Sequence, residues 1–224
     1  MDEFVTEFAK ISPPQPDGRL DAPAFHRNQA PIWSVIGGFL QDRTGDVLEI
    51  GSGTGQHAVT YARAAPGVVW WPSDCNDDHL RSIDAWRAHA GLANVRAATR
   101  IDLAAADWTS GRGVPGFPDR FVAILCCNVV HIAPWRVAQG LFAGAAPRLA
   151  PGGRLFLYGP FMRDGRHTAE SNARFDASLR EANPEWGVRD VADLAALADG
   201  AKLALADIVD MPANNMILSF EPGR

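Results

Sequence analysis

From residue 46 onward, short apolar runs alternate with amphipathic stretches. Runs at 46–50, 68–73, 95–101, 121–127 and 154–159 predict strands, and helical periods at 55–65, 78–89 and 135–146 predict helices. Phe121-Val122-Ala123-Ile124-Leu125-Cys126-Cys127 is apolar without alternation, the pattern of a strand covered on both faces. Strand and helix in this order predict a parallel sheet with helices on both sides. Pro147 is expected to close the third helix early. Helices follow at 169–182 and 190–199. Two strands, 203–210 and 215–220, then form a hairpin around Met211-Pro212-Ala213-Asn214-Asn215. Residues 107–119 read as a loop.

Upstream, Phe25-His26-Arg27-Asn28-Gln29-Ala30-Pro31 leads into a helix carrying Ile32, Trp33, Ile36 and Leu40 on one face. It is expected to end near Arg43-Thr44-Gly45, with Gly45 as its cap. Residues 12–23 form a Pro-rich connector. Phe4, Val5, Phe8 and Ile11 predict an N-terminal arm, either packed on the core or lying as a lid over a pocket. The whole reads as one domain over 1–224, with arm and helix in 1–45 and the core in 46–224.

The first strand runs into Glu49-Ile50-Gly51-Ser52-Gly53-Thr54-Gly55-Gln56-His57-Ala58. Glycines at a strand-to-helix turn admit positive φ and let a ligand approach the backbone. The spacing is not G-x-G-x-x-G, because Gln56 stands where the third glycine of a dinucleotide loop belongs. Glu49-x-Gly51-x-Gly53-x-Gly55 instead resembles the first motif of class I methyltransferases that use S-adenosylmethionine.

Composition narrows the classes. A net charge of −5 argues against a nucleic-acid partner, whose phosphates need Lys and Arg. No run reaches the ~18 apolar residues of a membrane span. Cys75, Cys126 and Cys127 lack metal-ligand spacing and a disulfide framework. A cytoplasmic protein with no membrane association is expected.

S-adenosylmethionine presents an amino-acid head, a sulfonium, a ribose diol and an adenine. Asp74, about 20 residues beyond the glycine loop, is placed to accept from the diol. Its other reading is the N-cap of a helix starting at Asp77 or Asp78. Asp102 with Leu103 is placed for the adenine, or forms a surface turn. Glu49 balances the cationic end of the cofactor, or fixes the loop of Gly51, Ser52, Gly53 and Gly55. Arg27 and Asn28 suit the cofactor carboxylate, or a solvated helix start. Asn128 anchors the cofactor amino group or the acceptor. His131 and His167 are the candidate bases, and the other reading of His131 is structural. Trp33, Trp135, Phe161 and Trp186 together suggest an aromatic pocket, although each ring taken singly suits the core better. Arg163-Asp164-Gly165-Arg166-His167-Thr168 reads as a polar loop, and with it Tyr158, Asn172, Met211 and Asn214 complete the candidate acceptor-binding set or form a hydrogen-bonded loop cluster.

Further stretches extend the resemblance: Trp71-Pro72-Ser73-Asp74, His131-Ile132-Ala133-Pro134-Trp135, Gly140-Leu141-Phe142-Ala143-Gly144-Ala145, Tyr158-Gly159-Pro160-Phe161, Asp164-Gly165-Arg166-His167-Thr168 and Met211-Pro212-Ala213-Asn214-Asn215. With the glycine motif, they resemble the family of predicted methyltransferases that includes methyltransferase-like protein 26. The resemblance implies a Rossmann-like, seven-stranded class I methyltransferase fold, mostly parallel with a C-terminal antiparallel hairpin, and S-adenosylmethionine as cofactor. The expected reaction is methyl transfer to an N, O or S atom of a small, aromatic or heteroaromatic molecule. A methyltransferase acting on RNA or protein, an NAD-dependent oxidoreductase and a non-catalytic binding module are the other classes.

Overall fold

The computed structural model describes residues 11–105, 108 and 114–223. The expected arm at 1–11, packed on the core or lying as a lid, lies outside them except for Ile11. Helix α1 (Pro23–Leu40) opens the fold, with Pro23 in its first turn, where the missing N–H is harmless. It starts well before the expected point and carries Pro31 inside, so Arg27 and Asn28 sit on the helix rather than before it. It ends at Leu40 with Gln41 as its cap, and Gly45 instead begins β1 (Gly45–Ile50) at φ +120°. A Cβ at residue 45 would lie 2.9 Å from Val122 Cγ1.

The alternation then runs α2 (Gln56–Ala64), β2 (Val68–Asp74), α3 (Asp77–Ala90), β3 (Thr99–Arg100), β4 (Phe121–Cys127), α4 (Trp135–Arg148) and β5 (Leu149–Gly159). Pro147 lies inside the last turn of α4 and does not shorten it. Arg148 reaches on to donate to Pro118 O at 3.0 Å. The third strand is shorter than expected. Residues 94–96 bond to Trp70, and Thr99–Ile101 run beside Ser73 and Asp74. Between them the Ala98 N–H donates to the Asp84 carboxylate at 3.0 Å, a side chain standing in for a strand neighbour at the sheet edge.

After β5 come β6 (Phe161–Arg163), β7 (Arg166–His167), α5 (Glu170–Ala182), β8 (Arg189–Asp190), α6 (Val191–Gly200), β9 (Leu203–Met211) and β10 (Asn215–Pro222). The seven-stranded sheet has the order β3-β2-β1-β4-β5-β10-β9, with β10 antiparallel to both neighbours. This is the expected α/β class I methyltransferase-like fold with its terminal hairpin. Strand periodicity splits the core in two. Val47, Trp70, Leu125, Phe156 and Ile217 face Ile32, Ile36, Leu40 and Tyr61 of α1 and α2. Leu48, Ile124, Leu157 and Leu218 face Leu141, Phe142 and Leu194 of α4 and α6.

A second, three-stranded sheet, β7-β6-β8, was not expected. The stretch read as a polar loop is a hairpin turning on Asp164 and Gly165, at φ +53° and +71°. Asp-Gly is the sequence signal for such a turn. Only Pro160 separates β6 from β5, so this small sheet stands over the carboxyl ends of the large one.

Candidate cofactor and acceptor site

The carboxyl ends of β1, β2, β4 and β5 and the β9–β10 turn share one edge. The registers Ile50↔Ser73, Ile50↔Cys126, Cys127↔Tyr158, Met216↔Gly159 and Asn215↔Met211 require it. That edge collects Glu49, the glycine loop, Asp74, Asn128, Tyr158, Met211 and Asn214. Helix α1 runs back toward the amino edge before β1, so its early turns, with Arg27 and Asn28, belong to the carboxyl edge. Burial raises the Tyr158 phenol above its ordinary range, and the Arg27 charge opposes this, which places Arg27 near the end of β5.

The glycine loop is built from below. Ser52 N–H donates to Ser73 O at 2.8 Å, and Gly53 N–H donates to Asp74 Oδ2 at 2.9 Å. Asp74 Oδ1 accepts from Asn76 N–H at 3.0 Å, and His79 Nδ1 lies 3.2 Å from Oδ2. Asp74 therefore ties the loop to the β2–α3 turn. The helix cap considered for it belongs to Asn76, which accepts from Asp78 and His79 N–H. Gly51 and Gly55 are needed for close packing: a Cβ would lie 2.4 Å from Val129 Cγ2 at residue 51 and 2.7 Å from Ile83 Cα at residue 55. Gly53 differs. At φ +56° its missing Cβ would meet no described atom within 4 Å, so the loop is open there.

Glu49 lies beneath this opening, 1 % exposed, with Oε2 accepting from Trp70 Nε1 at 2.8 Å. Burial raises its carboxyl to about 7. The hydrogen bonds from Trp70 and Ser52 oppose the rise, and the Asp74 charge adds to it. A buried acid at this level takes up a cation readily, because the cation replaces its proton.

Beyond β4, Asn128 turns the chain at φ +57°, its N–H on Tyr158 O at 2.8 Å. His131 is 3 % exposed, and its Nδ1 finds no hydrogen-bond partner among the described residues. Its ring lies against Gly159, where a Cβ would be 3.2 Å from Cε1 and Nδ1. Burial, with the Arg189 charge, lowers its pKa to about 3, so the imidazole is neutral. His167 Nε2 lies 3.5 Å from Asp176 Oδ2. Asn172 Nδ2 donates to Asn214 O at 2.8 Å, and Asn214 Nδ2 to Ser171 Oγ at 3.2 Å, which joins α5 to the β9–β10 turn.

The other candidates take quieter places. Asp102 is exposed and accepts from Ala104 N–H at 2.9 Å, the surface-turn arrangement. Leu103 and Phe161 are buried in the core on the α4–α6 side. Trp33 stacks on Tyr61 at 5.4 Å between α1 and α2. Trp186 packs with Leu179 and Val188. Trp135 is half-buried beneath the Arg189 guanidinium. A groove of about 740 Å³ lies between the C-terminal halves of α4 and α6, toward the amino edge and away from these residues.

Sequence reasoning missed the strap that holds the loop from outside. Gln56 Nε2 donates to Asp21 Oδ1 at 2.6 Å, and Gln56 Oε1 accepts from Ala22 N–H and Thr54 Oγ1. Ser82 Oγ accepts from Leu20 N–H and donates to Thr54 O. The one signal was Gln56 itself, a polar residue where a glycine would have served a dinucleotide.

Among the described residues, no helix is long and apolar enough to cross a membrane. Solved structures resemble the fold at low identity. An O-methyltransferase family protein from Burkholderia thailandensis is 18% identical with a TM-score of 0.73, covering 89% of this chain and 57% of its own. The mitomycin 7-O-methyltransferase MmcR is 16% identical with a TM-score of 0.73, covering 90% and 55%. CalO1, a methyltransferase of calicheamicin biosynthesis in its SAH-bound form, is 18% identical with a TM-score of 0.65, covering 88% and 55%. The chain thus spans just over half the length of these proteins, and what they share with it is the fold. The family model described as "Protein of unknown function (DUF938)" matches residues 19–222, nearly the whole chain, and the chain belongs to that family.

Proposed function

We propose that this protein transfers a methyl group from S-adenosylmethionine to an N, O or S atom of a small, aromatic or heteroaromatic molecule, as a single domain over 1–224. This is also the reading in which it stands with the methyltransferase-like protein 26 family. One observation carries it: a glycine loop open at Gly53, tied to a carboxylate at the end of β2 and set above a buried, cation-seeking Glu49. The residues suit this cofactor. Asp74 keeps lone pairs for a ribose diol beside Gly53, Glu49 meets the ammonium or sulfonium, Arg27 and Asn28 meet the carboxylate, and Asp102 with Leu103 borders the adenine. Bound there, the cofactor supplies a methyl already activated by its sulfonium. The chain's own share is alignment and exclusion of water.

Asn128, Tyr158, Asn172, Met211 and Asn214 border the acceptor space, with Trp33, Trp135 and Phe161 supporting its walls. The neutral His131 orients the acceptor through a hydrogen bond. His167, beside Asp176, takes the proton when the attacking atom carries one. The O-methyltransferases of like fold support a small-molecule acceptor. Net charge −5 weighs against nucleic acid, and a cytoplasmic setting suits three cysteines that lack a disulfide framework.

Calorimetric titration with S-adenosylmethionine, S-adenosylhomocysteine and NAD tests the reading. Saturable binding of the first two is expected. Binding of NAD, with neither sulfur compound bound, would overturn it.

A further inference from the structure

The turn that carries His131 is held from outside by a segment of chain far away in sequence. Arg189, on β8, donates from Nε to Val130 O at 3.0 Å and from one terminal nitrogen to Ala133 O at 2.6 Å and Glu185 O at 2.8 Å. Gly187 N–H donates to His131 O at 2.9 Å. The Arg189 guanidinium is 5.6 Å from the centre of the Trp135 ring. On the inner side, the His131 ring is bounded by Gly159 and by Phe175, edge-on with centroids 5.6 Å apart. The imidazole itself makes no bond that would set its angle, since its Nδ1 is buried and without a partner among the described residues. What places the ring is the backbone behind it, which the Arg189 side chain and the Gly187 N–H hold together.

We propose that Arg189 is a positioning residue, whose planar fork fixes the turn at residues 130–133 so that His131 stays pressed on Gly159 and keeps its angle toward the acceptor. The part about the acceptor rests on the methyltransferase reading; the hold on His131 does not. Lysine cannot replace the fork, because one ammonium has neither its planarity nor its reach. The guanidinium also disfavours an imidazolium, which adds to the effect of burial on His131. The other charged groups at this corner balance one another. From α5, Arg180 donates to Asp176 Oδ2 at 2.9 Å, and from β7 His167 faces the same carboxylate. From β5, Tyr158 stays protonated.

The test uses the full chain with ¹³C-labelled histidine, as wild type, Arg189→Met and Arg189→Lys. In the wild type, the His131 ring is expected to show a nuclear Overhauser contact with the Gly159 α-protons and no titration down to about pH 5. In Arg189→Met the contact should weaken, by about twofold or more in intensity. Arg189→Lys retains the charge without the fork and should weaken the contact likewise. It carries the test if Arg189→Met fails to fold. An unchanged contact in the folded variants, with only a lower melting temperature, would overturn the proposal and leave Arg189 a structural tie. S-adenosylhomocysteine affinity is measured in parallel. Failure of the wild type to bind it would sink the methyltransferase reading, while the histidine spectra still decide whether Arg189 holds His131.

Discussion

Trp70 Nε1 donates to Glu49 Oε2 at 2.8 Å across adjacent strands, directly beneath the glycine loop. The indole satisfies one carboxyl oxygen without supplying charge. Glu49 is kept in the core, where burial raises its carboxyl to about 7 against the pull of that hydrogen bond.

This raised pKa makes stability fall as pH rises. Between the unfolded value near 4.5 and the folded value near 7, the folded chain holds a proton that the unfolded chain has released. The loss should reach about 3 kcal/mol and level off above the folded value. In Glu49→Gln this component disappears, so the variant should be more stable than the wild type at pH 8 and match it at pH 4.5. Denaturant melts at the two pH values check this. The same variant should lose the rise of S-adenosylhomocysteine affinity with pH through about 7, because binding a cation favours the ionised acid.

Two glycines should fail in different ways. At Gly140 a Cβ would lie 1.8 Å from Leu103 O, a backbone atom that cannot turn aside. Gly140→Ala should cost about 3 kcal/mol or more, or prevent folding. At Gly53 the fold has room, and alanine should cost only about 1 kcal/mol for its positive φ. Its S-adenosylhomocysteine affinity should nonetheless fall at least about tenfold, about 1.4 kcal/mol. Full affinity in Gly53→Ala would show that no ligand occupies that opening.

Asp74→Asn tests the ribose site. The amide has one acceptor oxygen for the N–H groups of Gly53 and Asn76, so one donor is left unsatisfied, at about 1–3 kcal/mol. A matching loss of S-adenosylhomocysteine affinity, about tenfold or more, is expected. Reduced stability with intact affinity would make Asp74 a loop tie and nothing else.

Gln56→Leu removes the link between the strap and the loop. It strips partners from Ala22 N–H, Thr54 Oγ1 and Asp21. Stability should drop by about 1–3 kcal/mol. Trypsin should also cut faster after Arg19, since the strap then holds on through the Leu20 bonds with Ser82 and Trp86 and the Arg19 guanidinium over the Trp86 ring. An unchanged cleavage rate would show that the strap is held elsewhere.

Much of the candidate site's geometry was legible because local pattern and strand ends coincide. Glu49, the glycines, Asp74 and Asn128 each close an apolar run, and a parallel sheet brings such ends to one edge. The roles of single side chains were less legible. Leu103, Phe161 and Trp33 look in sequence like pocket residues and pack in the core, because nothing in a run of apolar residues says which neighbour will cover it.

Alternating apolar runs, Gly51-x-Gly53-x-Gly55 and the final hairpin by themselves determined the sheet and where its opening lies. Periodicity and turn chemistry act over a few residues, and seven strands leave few ways to be ordered. Only the tertiary structure decided that Arg189 holds the His131 turn, that Gln56 straps Asp21 to the loop and that Trp70 holds Glu49. Each joins residues distant in sequence through bonds whose geometry exists only once the sheet has closed around them.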